Sequence, residues 1–479
     1  MMHAVDQSVL DENAAALGVP RKQLMESSGN AVARVVREYA APGDSVAIVA
    51  GRGNNGGDGF VAARFLSAHD VTVHLLGRAE TITTDIAAEN WDALGQAAVD
   101  AREVRDSSAL DLDDPDVIVD AMLGTGVTGA LREPEATAAD RIDAADATVI
   151  SVDVPSGVDA DTGEADGTAV DADHVVTFHE TKPGLADVEA AVTVADIGIP
   201  EAAELFVERG DLLRLSRDPT SHKGDHGEVL VVGGGPYTGA PALSAQAAFR
   251  AGADLVRVAC PTAIAREVQA FEEGIITRPL AGEMLRPEHV DQLLDIAVEQ
   301  DAVVLGPGLG DANATLEAVR RFLAEFDGRA VVDADALQVV PEVETAATLL
   351  CTPHQGELRK MGGETADDWR DRMALVESFA DDVDATLLVK GAYDVVSDGE
   401  TTRANRTGNP GMTVGGTGDV LAGIAGALVS VLEPHHAAAV AAYANGRAGD
   451  IVVDERGYGL VASDLLDAVP EAMWGDDDD

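Results

Sequence analysis

The chain has 479 residues, too long for one ordinary domain, and 46% of them are apolar, ample for sizeable cores although aromatics supply only 4%. Its 85 acidic residues against 33 basic ones give a net charge of −52, spread through both halves, which argues against a nucleic-acid partner because no basic patch exists to displace counterions. The apolar content argues against disorder, and no apolar run approaches the roughly 20 residues of a membrane span.

Apolar residues at helical spacing (Leu24, Met25, Ala31, Val32, Val35, Val36) predict helices over 7–18 and 21–40. β-like runs then alternate with helices: 45–50, a helix over about 58–69, 71–76, a helix around 84–99, then 117–122, 147–154, 174–178 and 191–196. This alternation implies an α/β domain with a mostly parallel sheet and helices on both faces. Residues 200–222 carry few β signals and read as an inter-domain segment. A second α/β series has runs at 228–235, 254–260, 301–308, 330–337, 348–354, 385–391 and 393–399. One helix follows Pro241, an Ala- and Gly-rich helix covers about 419–432, and another covers about 436–453. The terminal DDDD reads as a solvated tail.

Cys260 and Cys351 lie in apolar, strand-like runs and read as buried reduced thiols; no CxxC pattern suggests a metal. No signal peptide is evident, so a cytoplasmic protein without a membrane partner is expected. The diffuse acidity with few lysines resembles proteins of salt-loving organisms, where a Debye length of about 3 Å in molar salt screens self-repulsion. The same charge at low salt is expected to destabilise the compact state.

Ligands of parallel α/β sheets bind at the carboxyl ends of the strands. The first such loop reads GRGNNGGDG (51–59). Its glycines allow close backbone approach, and a glycine loop before a helix offers N–H groups to phosphate. The acidic residue that a dinucleotide-binding fold places at the end of the next strand is absent, since that strand runs into Leu75, Leu76 and Gly77. DAMLGTG puts Asp120 near a strand end, and SVDVPSGVDADTG puts Asp153, Ser156 and Asp159 near the next. Ser156 lacks the GxSxG flanks of a seryl nucleophile.

GRGNNGGDG, DAMLGTG and VDVPSGVDADTG, in this order and spacing, resemble the NAD(P)H-hydrate epimerase family over roughly residues 7–210. The resemblance implies a Rossmann-like domain, set at 1–210, that interconverts the R and S hydrates at carbon 6 of a damaged nicotinamide. It implies hydrate contacts from Asn54, Asn55, Gly56, Gly57 and Asp58, and a potassium ion (K+) held by Asn55, Asp120 and Ser156. It implies a phosphate cradle of Gly124, Thr125, Gly126, Val127, Thr128, Gly129 and Ala130, with Asp153 facing the reactive ring. Epimerising a hydroxyl-bearing carbon needs proton transfer or reversible loss of the hydroxyl, and a carboxylate can serve either. Asp153 is the first choice. Lys182 reads either as a surface lysine before a proline turn or as an electrostatic helper, and His174 and His179 as core or surface residues.

In the second half, GAPALSAQAA opens a helix of small residues, followed by GPGLG, TPHQGE, VKG and GGTGD. Backbone N–H groups of GTGD would stabilise charge on a transferring phosphoryl group. Asp419 would sit where a substrate hydroxyl loses its proton. Asp333 and Asp335 read as strand-end turn carboxylates or as magnesium or substrate groups. The five motifs in order resemble the ADP-dependent NAD(P)H-hydrate dehydratase family over roughly 221–472, which implies a ribokinase-like α/β domain. It implies S-hydrate contacts from Ala240, Gly308, His354 and Asp419. It implies nucleotide contacts from Lys390, Gly391, Ala392, Tyr393, Asp394 and Gly418, with ADP as co-substrate and magnesium (Mg2+) bridging its phosphates. The two resemblances together imply one repair enzyme for NADH and NADPH hydrates. Domains of these families often assemble, so a homo-oligomer is compatible. The alternative is a small-molecule kinase of a vitamin precursor carrying a nucleotide-binding regulatory domain.

Overall fold

A computed structural model describes residues 2–126 and 129–475; Val127 and Thr128 of the expected phosphate cradle lie outside the described residues. The chain divides into two compact units, 1–203 and 204–479.

The first unit holds a seven-stranded sheet: β1 Ser45–Ala50, β2 Asp70–Leu76, β3 Asp100–Val104, β4 Val117–Ala121, β5 Thr148–Val152, β6 His174–Phe178 and β7 Ala191–Ala195. Their order is β3-β2-β1-β4-β5-β6-β7, with every pair parallel. The order reverses between β1 and β4, so the loops after these two strands flank a crevice suited to a ligand. The helix expected over 58–69 instead spans Asn54–Phe65, so NNGGDG is its opening rather than a loop. The glycines serve packing. A Cβ on Gly56 would lie 2.1 Å from the Gly51 carbonyl oxygen, one on Gly57 2.7 Å from Met25, and one on Gly59 2.8 Å from Ala121. Strand β3, short and partly exposed (DAREV), was not expected from the sequence.

The second unit holds nine strands: β8 Glu228–Val232, β9 Leu255–Pro261, β10 Ile276–Leu280, β11 Ala302–Leu305, β12 Arg329–Val332, β13 Thr348–Cys351, β14 Thr386–Val389, β15 Asp394–Ser397 and β16 Thr402–Asn405. Their order is β10-β9-β8-β11-β12-β13-β14-β15-β16, parallel as far as β14 and antiparallel beyond. Here the reversal falls between β8 and β11, beside Gly306 and Gly308. The helices Gly239–Arg250 and Thr417–Val429 pack closely because Gly423 has no Cβ; one there would lie 2.1 Å from Ser244 O.

The segment expected to link domains is structured. Residues 204–210, assigned from sequence to the first domain, belong to the second unit. Val207 N donates to Ala404 O at 2.9 Å, and buried Asp211 pairs with Arg403. Both cysteines are buried and free, and burial pushes their thiols up to about 11 (Cys260) and about 12 (Cys351). Among the described residues no helix is long and apolar enough to cross a membrane.

Candidate active sites

In the first unit a cavity of about 340 Å³ opens at the β1/β4 crevice. Of the expected hydrate residues, Asn54, Asn55, Asp58, Gly124, Thr125, Gly126 and Asp153 line it; Gly56, Gly57 and Ala130 do not, and Gly129 lines a separate cavity with Gly124 and Asp159. Asp153 has a left-handed backbone (φ 69°), an unusual state for a residue with a Cβ, directly after β5. Lys182 is wholly buried, which overturns the surface reading. Its Nζ pairs with Asp153 Oδ1 at 3.0 Å and donates to the Phe178 and Glu180 carbonyls at 3.0 and 3.4 Å. The Thr177 hydroxyl donates to the same carboxylate oxygen at 3.2 Å. Proximity of Lys182 to a proline in the sequence carried no sign of this burial.

Two further charged residues, Asp11 and Arg21, line the cavity from the first two helices. Nothing beyond helical spacing marked them in the sequence, because their role depends on where those helices pack. Asp58 is buried, and burial, then the carboxylates of Asp153 and Asp11, hold its carboxyl well above the usual range. Asp11 is raised by burial, against pulls from Gln7 and Arg21. His174 is structural: it bonds Tyr39 Oη and Thr193 Oγ1, each at 2.9 Å.

The residues expected to hold potassium form a connected group. Ser156 Oγ donates to Asp120 Oδ1 at 2.7 Å and accepts from Leu123 N at 3.0 Å. A Cβ on Gly124 would lie 3.2 Å from Asn55 Oδ1. The buried Asn55 Nδ2 has no hydrogen-bond partner among the described residues, and turning that amide over would aim an oxygen there instead. Asp120 differs from the expectation. Its two oxygens accept four hydrogen bonds, from Met122 N, Ser151 Oγ, Ser156 N and Ser156 Oγ. Those fill the four lone-pair sites of a carboxylate, so Asp120 sits behind Ser156 and fixes it.

In the second unit, Gly308 (φ 72°) lies against Ala240, where a Cβ would be 3.2 Å from the alanine Cβ. His354 and Lys390 form a backbone bridge at the ends of β13 and β14. Lys390 Nζ pairs with Asp333 Oδ1 at 3.0 Å and stands 3.9 Å from Glu357 Oε2. A Cβ on Gly418 would lie 3.2 Å from that same Nζ, so the lysine stands over the opening turn of the helix that carries Asp419. Asp419 has its carbonyl held by Ser244 Oγ at 2.8 Å. Burial, then the like charge of Asp333, pushes its carboxyl up to about 7.

Three expectations shift. Asp333 is held by Lys390 and by Thr352 Oγ1 at 2.8 Å, which favours a positioning role over a free magnesium ligand. His354 caps the helix Gln355–Met361, its Nδ1 accepting from Gly356 N and Glu357 N at 2.9 and 3.2 Å, while its exposed Nε2 stands 3.5 Å from Glu357 Oε1. Asp394, pushed up to about 6 by burial, braces its own loop by accepting from Gly391 N and Asn405 Nδ2. Gly391 and Ala392 are exposed on that loop, while Tyr393 stacks on Trp369 with centroids 4.9 Å apart. Trp369 was not singled out from sequence.

Two α/β units with carboxylate–lysine clusters at the carboxyl ends of their strands define a two-site nucleotide-handling enzyme. A family model described as NAD(P)H-hydrate dehydratase matches residues 229–471, and one described as YjeF-related protein N-terminus matches 21–184. The bifunctional NAD(P)H-hydrate repair enzyme Nnr of Methanothermobacter thermautotrophicus is 43% identical over 99% of this chain and 95% of its own. The enzyme of the same name from Archaeoglobus fulgidus is 42% identical over 98% of this chain and 97% of its own. The chain belongs to the bifunctional NAD(P)H-hydrate repair enzyme family. Among solved structures, a ribokinase-like superfamily protein from Enterococcus faecalis matches with a TM-score of 0.50 and 22% identity, over 56% of this chain and 95% of its own. The ADP/ATP-dependent NAD(P)H-hydrate dehydratase from Bacillus subtilis, co-crystallized with ATP/Mg2+, matches with a TM-score of 0.50 and 24% identity, over 56% of this chain and 97% of its own. Both support the ribokinase-like fold of the second unit.

Proposed function

We propose that the first unit epimerises the R and S hydrates of NADH and NADPH, and that the second dehydrates the S epimer at the expense of ADP, giving AMP and phosphate. The observation that carries this reading is the pair of sites itself. Asp153 lines a cavity of about 340 Å³ and is paired with a buried lysine. Asp419, its carboxyl without a partner among the described residues and pushed up to about 7, stands beside a lysine at a glycine-rich helix start.

In the second site Asp419 takes the proton of the hydrate's hydroxyl, whose oxygen attacks the β-phosphorus of ADP while the bond to AMP breaks. Hydroxide is a poor leaving group and phosphate a good one, so loss of phosphate and of a proton from the neighbouring ring carbon restores the dihydronicotinamide. A base near pH 7 is matched to that first step. Lys390 and the GTGD amides stabilise the charge that builds on the phosphoryl oxygens. His354 Nε2, Ala240 and Gly308 contact the hydrate, and the exposed Gly391–Ala392 segment contacts the nucleotide. Bound magnesium would neutralise charge on the nucleotide phosphates.

In the first site Asp153 serves the reacting carbon, and Asn54 to Asp58 with the Gly124–Ala130 loop hold the hydrate. A potassium ion suits the hard-oxygen set around Asn55, with the Asn55 amide and Ser156 Oγ as donors and Asp120 fixing the serine. Bound there, it would offset negative charge at the phosphate end of the substrate. A cytoplasm of molar potassium salt fits both that site and the charge of −52.

The test uses purified protein in molar KCl with magnesium and a mixed-epimer NADH hydrate, following the near-ultraviolet absorbance of NADH with ADP, ATP or neither. The expected result is nucleotide-dependent recovery of both epimers, faster than spontaneous epimerisation, with ADP the better donor. Recovery that stalls once the S form is used would remove the epimerase half. A stable phosphorylated product in place of NADH would return the kinase alternative.

A further inference from the structure

The first cavity holds more acid than the proposed chemistry has used. Three carboxyl groups line it, Asp11, Asp58 and Asp153, together with one cation, Arg21. A second cation, Lys182, stands behind Asp153 in an ion pair at 3.0 Å. Asp11 accepts from Gln7 Nε2 at 3.0 Å and feels Arg21. Asp58, in the opening turns of the helix Asn54–Phe65, has no hydrogen-bond or ion-pair partner among the described residues and is only 9% exposed. Lys182 answers Asp153, and Asp11 has Gln7 and a share of Arg21, so the carboxyl left without a partner among the described residues is Asp58. Ionising an unpaired buried carboxyl is strongly disfavoured, and the usual resolution is to keep the proton.

Other charged groups around this helix do not supply a partner. Glu26 pairs with Arg64, and Lys22 with Glu89 at 2.5 Å. Arg21 also reaches Glu12 at 2.8 Å. Asp120 is saturated by Ser151, Ser156 and Met122 N. His74 on β2 is buried and pushed toward its neutral form by that burial.

Resting on the epimerase reading, we infer that Asp58 is the general acid of epimerisation, working with Asp153 as an acid–base pair across the cavity. Carbon 6 of the hydrate carries the hydroxyl and is bonded to the ring nitrogen. Asp58 gives its proton to that hydroxyl, the C6–O bond breaks, and the nitrogen lone pair forms a C6=N double bond as water departs. Asp153 takes a proton from a water that adds to the other face, forming the new C6–O bond, and the nitrogen recovers its lone pair. One water leaves and one enters, so atoms and electrons balance. The enzyme is left with Asp58 ionised and Asp153 protonated, which is the form that runs the opposite epimer. Exchange through water restores the resting form, favoured by the Asp153–Lys182 ion pair. Both directions need one proton on the pair, so both share one pH profile that falls on the alkaline side as Asp58 loses its proton.

The test starts from one separated epimer of NADH hydrate, in molar KCl without nucleotide, and follows the appearance of the other by chromatography. The full-length protein is compared with Asp58→Asn, which keeps the shape and a hydrogen-bond donor but cannot deliver a proton. The expected result is a kcat lower by about 100-fold or more, a KM within threefold, and loss of the alkaline limb. Epimerisation by Asp58→Asn within threefold of the unsubstituted protein overturns the inference, as does a variant that keeps the alkaline limb, or a loss confined to KM. The profile of the unsubstituted protein needs no variant to fold, and a rate that does not fall on the alkaline side also overturns the inference. An unsubstituted protein that never outpaces spontaneous epimerisation overturns the epimerase reading, and the inference with it.

Discussion

Both units set a lysine among carboxylates at the carboxyl end of a parallel sheet, and they pair it differently. In the first, Lys182 bonds the candidate catalytic acid itself, Asp153. In the second, Lys390 bonds Asp333, and the Asp419 carboxyl has no partner among the described residues, where burial and the Asp333 charge push it up to about 7. The difference follows the chemistry proposed for each. A lysine on Asp153 sets a positive charge directly against the group proposed to serve the reacting carbon. A lysine beside Gly418, bonded to Asp333 rather than to Asp419, would be placed to meet the phosphoryl group of the proposed reaction and leave Asp419 to cycle near neutrality. On the proposed chemistry, the same pair of residue types would give an anchored base in one site and a tuned base in the other.

The largest expected effect breaks the comparison cleanly. Asp419→Asn should lower nucleotide-dependent NADH recovery by about 10²–10⁴-fold, the span typical of a lost general base, and leave the exchange of epimers intact. Asp153→Asn should do the reverse. Either variant abolishing both rates in well-folded protein would mean the sites are not separate. The lysines come next and act on stability. Lys182→Met leaves Asp153 buried without its ion pair, a change that costs about 3–5 kcal/mol. Lys390 has a side chain 20% exposed, and Asp333 keeps the Thr352 hydroxyl, so Lys390→Met should cost about 1–3 kcal/mol, the scale of one unsatisfied buried group. Denaturant midpoints in molar KCl decide the order, and equal losses would remove the distinction drawn between the pairs.

Much of this comparison was legible in the sequence, for an identifiable reason. Strands buried on both faces read as continuous apolar runs, and SVAIVA and HVVTF were placed to the residue. The glycine motifs marked the strand ends where both sites lie. What the sequence hid was of two kinds. Exposed or edge strands such as DAREV and ITRPL carry too little apolar pattern to stand out. Long-range pairings leave no local trace: Lys182 looks like any lysine before a proline, and Asp11 like any acid on an amphipathic helix. Their function comes from what the fold brings beside them. The glycines of NNGGDG misled in a third way, since a residue without a Cβ serves helix packing as well as ligand approach, and here packing takes Gly56, Gly57 and Gly59.

That point separates the two glycine motifs experimentally. A methyl on Gly56 meets backbone, the Gly51 carbonyl at 2.1 Å, which cannot move without moving the end of β1. Gly56→Ala should therefore cost about 1–3 kcal/mol, as overpacking does. A methyl on Gly418 meets only the tip of Lys390, at 3.2 Å, and a lysine tip can swing aside. Gly418→Ala should leave the melting point nearly unchanged while slowing dehydration, because the displaced ammonium is the proposed phosphoryl contact. A stability loss at Gly418 equal to that at Gly56 would place its role in packing.

The smallest expected effect is a displacement of a pH profile, and it tests how Asp419 is tuned. As a base Asp419 must be ionised, so kcat/KM for dehydration should rise about tenfold per pH unit below about 7 and level off above it. Burial is the first cause of that high value and the Asp333 carboxylate the second, with Lys390 pulling the other way. Asp333→Asn removes the like charge and leaves the lysine, so ionisation becomes easier and the rise should move to lower pH, even if the plateau drops. If Asp333 instead acted only by holding Lys390 in place, the freed lysine would pull less on Asp419 and the rise would move to higher pH. The sign of the displacement therefore decides whether Asp333 acts on the base by its charge or through the lysine it holds.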